Sequence, residues 1–113
     1  MDLLEIAVED RGGWRVVTGT GQLDVATAPE LRQKLVEAQY GGQAHVLVDL
    51  DGIEFIDSMG LGVLIGGLKR ARTHQRQFVV ACSQPRILRV LELTGLDDVL
   101  RVVPEPGAVL DRR

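Results

Sequence analysis

Hydrophobic and polar positions partly alternate along "LLEIAVE", residues 3–9, and "WRVVTGT", residues 14–20, reads as a second strand. This is the period-two pattern of half-buried strands. The intervening "RGG", residues 11–13, is a tight turn, so the two segments are predicted as an antiparallel hairpin. The pattern becomes helical across "TAPELRQKLVEAQ", residues 27–39. There Leu31, Leu35, Val36 and Ala38 approximate one apolar face. Thr27 and Glu30 have capping-box spacing, and Pro29 is tolerated in the first turn. Gly41 and Gly42 end the helix.

"HVLVDL", residues 45–50, is a short apolar run of the kind buried on both faces of a sheet. A helix is predicted from about 59 to 72, with Leu61, Leu64, Ile65 and Leu68 as its buried stripe. "QFVVAC", residues 77–82, is a further buried strand. Ser83 is placed to cap a helix over 84–93, which Gly95 ends. "VLRVV", residues 99–103, closes the strand set, and "PEPGAVLDRR" has room for a last helical turn or two. The order β-β-α-β-α-β-α-β-(α) predicts an α/β layer fold with a four- to five-stranded mixed sheet, largely parallel after an antiparallel start. Loops are short and no repeat or linker interrupts residues 1–113, which read as a single domain.

Composition narrows the function. The chain carries a formal net charge of −3 and only two lysines, Lys34 and Lys69, so it lacks the clustered cations that nucleic-acid phosphates require. The local basic strip of Lys69, Arg70, Arg72 and Arg76 is favourable charge at a helix C-terminus. The lone Cys82 precludes an internal disulfide framework and sits in an apolar run as a small core residue. No segment has the length and apolarity of a membrane span, and the N-terminal pattern is not that of a signal peptide. A cytoplasmic setting fits.

Catalytic motifs fare poorly. Ser58 is flanked as I-D-S-M-G rather than G-x-S-x-G, and neither His45 nor His74 is placed to serve it. The histidines and cysteine lack metal-ligand spacing, and no nucleotide-binding loop is present. Asp49, Asp51 and Asp57 gather near a strand end as in phospho-accepting aspartate domains, but the late strands carry no lysine. Asp49 and Asp51 are expected in a solvated turn with Gly52.

Ser58 is expected as the N-cap of the second helix, its hydroxyl accepting from the Leu61 amide. A helix N-terminus also tolerates a phosphate, because its amides and dipole favour negative charge. Gly60 and Gly62 remove side chains from the first turn, which suits clearance for a partner, close helix-to-sheet packing, or both, whereas Gly66 and Gly67 look more like packing.

Three collinear segments carry a family likeness. "FIDSMGLGVL" (55–64), "GQLDVATAPELR" (21–32) and "LRVLELTGLDDVLRV" (88–102) resemble the phosphorylation motif, first loop and late L-T-G-L segment of the STAS domain, as found in bacterial anti-sigma factor antagonists. The resemblance implies a non-enzymatic binder without a cofactor. It would bind an anti-sigma factor serine kinase, be released by phosphorylation at Ser58, and be restored by a PP2C-type phosphatase, as a monomer or weak homodimer. By position, Asp57 and Asp24 would lie beside the acceptor, with Thr27, Met59, Gly60 and Gly62 on the docking surface. Met59 and Gln22 depart from the family pattern, the first adding an apolar side chain and the second removing a charge. An alternative the family allows is an accessory role in a stress-signalling or lipid-transport assembly without a phospho-switch.

Overall fold

Gly12 and Gly13 both take positive φ, 55° and 86°, as a two-residue hairpin turn requires. They join strand β1 (Leu4–Arg11) to strand β2 (Trp14–Leu23), antiparallel, with Arg11 opposite Trp14. The computed structural model describes residues 3–111. It adds strands β3 (His45–Ile56), β4 (Phe78–Ala81) and β5 (Arg101–Val103), each parallel to its predecessor. The strands lie in the sheet in chain order. Each parallel step is bridged by a helix: α1 (Ala28–Ala38), α2 (Ser58–Thr73) and α3 (Pro85–Leu93). A short α4 (Gly107–Leu110) follows β5.

Right-handed crossovers that all step in one direction place their helices on one face of the sheet. The core agrees. Val46, Val48 and Val80 from the sheet pack with Leu31 and Leu35 of α1, Leu64 and Leu68 of α2, and Ile87 and Leu91 of α3. On the opposite face a smaller cluster of Val16, Leu47, Val79 and Val103 is covered by Val109 of α4. Burying a side chain of this size contributes about 1.5–3 kcal/mol, so the three-helix face supplies most of the apolar stabilisation.

Several local expectations give way to longer-range bonding. The strand predicted over 45–50 continues to Ile56, through the residues expected to turn. Two register shifts against β2 absorb the extra residues as bulges. Asp49 and Asp51 therefore sit in strand, not in a solvated turn. Asp49 Oδ1 accepts from the Asp51 amide at 3.0 Å, and Asp51 Oδ1 accepts from the Ser83 amide and hydroxyl at 2.6 and 3.1 Å. Ser83 thus pairs with Asp51 and does not cap α3, whose N-cap is Gln84. The Gln84 side chain donates to the Asp51 and Ile53 carbonyls, fixing the start of α3 to the bulged strand.

The capping box predicted at Thr27 and Glu30 does not form. Thr27 is the N-cap of α1 by position, but its hydroxyl makes no cap bond. It donates instead to the Gln22 carbonyl at 2.8 Å and accepts from the Asp24 amide at 3.0 Å. Helix α1 stops at Ala38, and a 3-10 turn, Tyr40–Gly42, separates it from β3. The late strand is the three residues Arg101–Val103, because Leu96–Asp98 forms another 3-10 turn before it.

Candidate functional site

Strand β3 delivers the chain to Asp57 at the carboxyl edge of the parallel strands, where open α/β sheets place their sites. Asp57 has extended backbone (φ −113°, ψ −174°) and is the N-cap of α2. Its Oδ1 accepts from the amides of Met59 and Gly60 at 2.9 and 3.1 Å, two of the donors that a helix start leaves without partners. Its Oδ2 accepts from the Val25 amide at 3.0 Å. One carboxylate therefore caps α2 and ties down the loop between β2 and α1.

That loop is braced from within. Asp24 Oδ1 accepts from the amides of Ala26 and Thr27 at 3.0 and 3.2 Å, and Thr27 is buried with its hydroxyl spent on Gln22 and Asp24. Asp24 and Thr27 thus shape the loop, their polar atoms directed into it. Backbone bonds complete the junction: the Asp57 amide donates to the Leu23 carbonyl, and the Leu61 amide to the Asp57 carbonyl.

Ser58 is the first residue of α2, not its cap. The expected bond from the Leu61 amide to the Ser58 hydroxyl is replaced by the Asp57 cap, one residue earlier. Ser58 is exposed, and among the described residues its hydroxyl has no hydrogen-bond partner. Apolar side chains flank it. Met59 is 52% exposed, Val25 is 65% exposed, and Phe55 on the end of β3 is 50% exposed.

The glycines of α2 divide by helix face. Gly60 is buried, and a Cβ there would lie 2.7 Å from Leu23 Cγ and 2.9 Å from both Ile56 Cγ1 and the Leu23 carbonyl oxygen. The clearance it gives is to the domain's own sheet, which corrects the expectation of partner clearance. Gly67 is likewise internal, 2.5 Å from the Phe78 ring by the same construction. Gly62 is exposed with nothing near its missing Cβ. Gly66, expected in internal packing, instead lies under the Arg70 guanidinium, where a Cβ would be 3.4 Å from Nη1. The helical period explains the division: Gly60, Leu64, Gly67 and Ala71 share one face.

Gly62 and Gly66 floor a groove of about 210 Å³ that runs from Ser58 and Met59 along α2 to Arg70, with Arg32 of α1 on its other bank. Burial, and then the charge of Arg32, lower the Arg70 pKa from its ordinary value. Nothing in the local sequence pattern pointed to Arg32, which meets α2 only in the folded chain. Two wider open clefts, each about 360 Å³, lie beside Trp14 at the opposite pole, where the parallel strands begin. Neither is lined by a residue of the Ser58 groove.

The histidines sit apart from Ser58. His45 Nδ1 accepts from the Gln77 amide, and the His74 ring lies against Gly42. Among the described residues no cluster of three or more His, Cys, Asp or Glu is arranged to hold a metal ion, and no helix is long and apolar enough to cross a membrane. Cys82 is buried in the core, as its apolar run predicts.

A five-stranded mixed sheet in chain order, with α1, α2 and α3 bridging its parallel steps, is the fold of a known family. The STAS domain model matches residues 5–108, and the chain belongs to that family, among the anti-sigma factor antagonists. The anti-sigma-B factor antagonist of Staphylococcus aureus is 35% identical over 82 residues, 73% of this chain and 76% of that protein. An anti-sigma factor antagonist from Mycobacterium paratuberculosis superposes with a TM-score of 0.88 at 30% identity, covering 96% of this chain and 92% of that one. The phosphorylated form of the Bacillus cell fate determinant SpoIIAA shares the fold, with a TM-score of 0.74 at 20% identity and coverage of 96% and 100%. These relatives are regulatory binding proteins rather than enzymes.

Proposed function

We propose that this protein is an anti-sigma factor antagonist that switches partners through phosphorylation of Ser58. The observation that carries this reading is the state of Ser58: exposed, in the first turn of α2, with its hydroxyl free while Asp57 does the capping. In its unmodified form the protein docks an anti-sigma factor that is also a serine kinase, and this frees a sigma factor. The exposed apolar set of Val25, Phe55 and Met59, with the bare surface of Gly62, forms the contact. Asp24, Thr27 and Asp57 hold that surface in shape. A PP2C-type phosphatase returns the protein to its binding form, in the cytoplasm.

The local electrostatics favour release on phosphorylation. Phosphoserine brings roughly −1.5 to −2 charges at pH 7. The amides of Met59 and Gly60, which would otherwise receive an anion, are already bonded to Asp57. The phosphate therefore stays at the surface and adds to the Asp57 charge next to it. Burying such a group against a partner without new cations costs several kcal/mol, and every 1.4 kcal/mol is about tenfold in affinity.

Capture from lysate on immobilised Ser58→Ala protein, followed by ATP, tests the reading. The kinase is expected to bind both forms and to leave only the wild type, which acquires one phosphate on Ser58 by mass spectrometry. Phosphate on Thr27 or Ser83 with Ser58 bare would overturn the assignment. Equal retention of wild type and Ser58→Ala after ATP would favour an accessory role without a switch.

A further inference from the structure

Arg70 is held in an unusual electrostatic position. Its Nε donates to Gln39 Oε1 at 2.9 Å, and the buried Gln39 in turn donates from Nε2 to the Gly67 carbonyl at 2.8 Å. This relay fixes one edge of the guanidinium across the bare backbone of Gly66. Its Nη2 is buried and, among the described residues, has no hydrogen-bond partner. The neighbouring charge is another arginine, Arg32, which opposes it. The ion pairs among the described residues, Arg11–Asp111 and Arg15–Asp10, involve neither. A buried donor without an acceptor and a pair of like charges both cost free energy. An anion in the groove relieves the like-charge opposition, and the exposed Arg32 guanidinium suits a carboxylate.

The groove beside these arginines has the dimensions and lining for a chain segment. From Ser58 to Arg70 it follows α2 for about 18 Å by helical rise. Its floor at Gly62 carries no side chain, and Met59 and Val63 give it apolar walls.

We propose that this groove seats an acidic segment of the anti-sigma factor, laid along α2 with a carboxylate on Arg32 and Arg70. The assignment rests on the antagonist reading above and names the chemistry the partner brings. Charge complementarity selects the occupant: among the described residues two cations and no anion line the groove, and the segment supplies one. The same placement explains why Ser58 is an effective switch. A phosphate at the mouth of the groove repels the acidic segment.

The test measures, by calorimetry, binding of the kinase captured above to unphosphorylated wild type and to Arg32→Gln, Arg70→Gln and Gly62→Leu. Circular dichroism establishes that each variant is folded. Arg32→Gln is the decisive variant, because Arg32 is exposed and its loss leaves the Gln39 relay untouched. Each arginine variant is expected to bind at least tenfold more weakly than wild type at 50 mM NaCl, with the gap closing at 500 mM. Gly62→Leu, which fills the groove, is expected to weaken binding at both salt concentrations. Wild-type affinity in Arg32→Gln, or a deficit unchanged by salt, overturns the acidic occupant while leaving the antagonist role standing. A homodimer in sedimentation that Gly62→Leu abolishes assigns the groove to a second copy and also overturns it. Failure of the wild type itself to bind any anti-sigma factor removes the antagonist reading and the proposal together.

Discussion

The amide of Val25 donates to Asp57 Oδ2 across 32 residues of sequence, while Oδ1 of the same carboxylate holds the first turn of α2. The loop between β2 and α1 and the helix that carries Ser58 thus share a single anchor. Asp57→Ala removes both functions of that anchor. It is expected to cost about 1–2 kcal/mol in urea unfolding, near the upper end for loss of an N-cap. Ser58→Ala, at an exposed position without a hydrogen bond, should change stability by less than about 0.5 kcal/mol. A large loss in Ser58→Ala and none in Asp57→Ala would reverse the assignment of the cap.

Glycines two residues apart on α2 should respond to alanine with opposite signs. At Gly60 the new methyl meets Leu23 and Ile56 at under 3 Å, and overpacking of this kind costs about 1–3 kcal/mol. At Gly62 it meets nothing, so the gain in helix propensity remains, about 0.5–1 kcal/mol of added stability. Thermal unfolding of the pair is a direct check on the orientation of α2.

Cys82 should be inert in the folded protein. Burial raises its thiol pKa, the hydrogen bond with the Gln84 backbone offsets part of that rise, and the charges of Asp51 and Asp49 add to it. The reactive thiolate is therefore scarce at neutral pH. Ellman's reagent is expected to leave the native protein unmodified over the time in which the urea-unfolded chain reacts fully. The sign for stability follows. The fold favours the neutral thiol, so this contribution is complete below the ordinary thiol pKa and is lost as pH climbs through the raised value. Rapid native labelling at pH 7 would place Cys82 nearer the surface than the core geometry does.

The strand and helix order was legible because periodicity is local: "QFVVAC" and "KLVEAQ" declare their burial within a few residues. The site was legible only in part. Asp57 and Ser58 are adjacent and both are good N-caps, and the choice between them depends on Val25, whose amide the Asp57 carboxylate also reaches. The Asp49–Gly52 run carries turn residues, but Ser83 and Gln84 satisfy its carboxylate and carbonyl from another strand's end. No local pattern contains that information. Gly60 was ambiguous for a different reason. Its phase with Leu64 and Gly67 was available in the sequence, and helical spacing alone would have turned it inward. Arg32 and Gln39 meet α2 only through the packing of two helices.

The alternation of glycines on α2 has a consequence for how such domains coexist in one cell. Gly60 and Gly67 are constrained by the domain's own interior, whereas Gly62 has open space beside it and Gly66 has only the Arg70 guanidinium. A duplicated copy can therefore drift at the outward pair, acquiring side chains that exclude the parent's partner, without disturbing its fold. Insulation between parallel signalling lines requires such a separation, in which changes that redirect recognition leave folding stability intact.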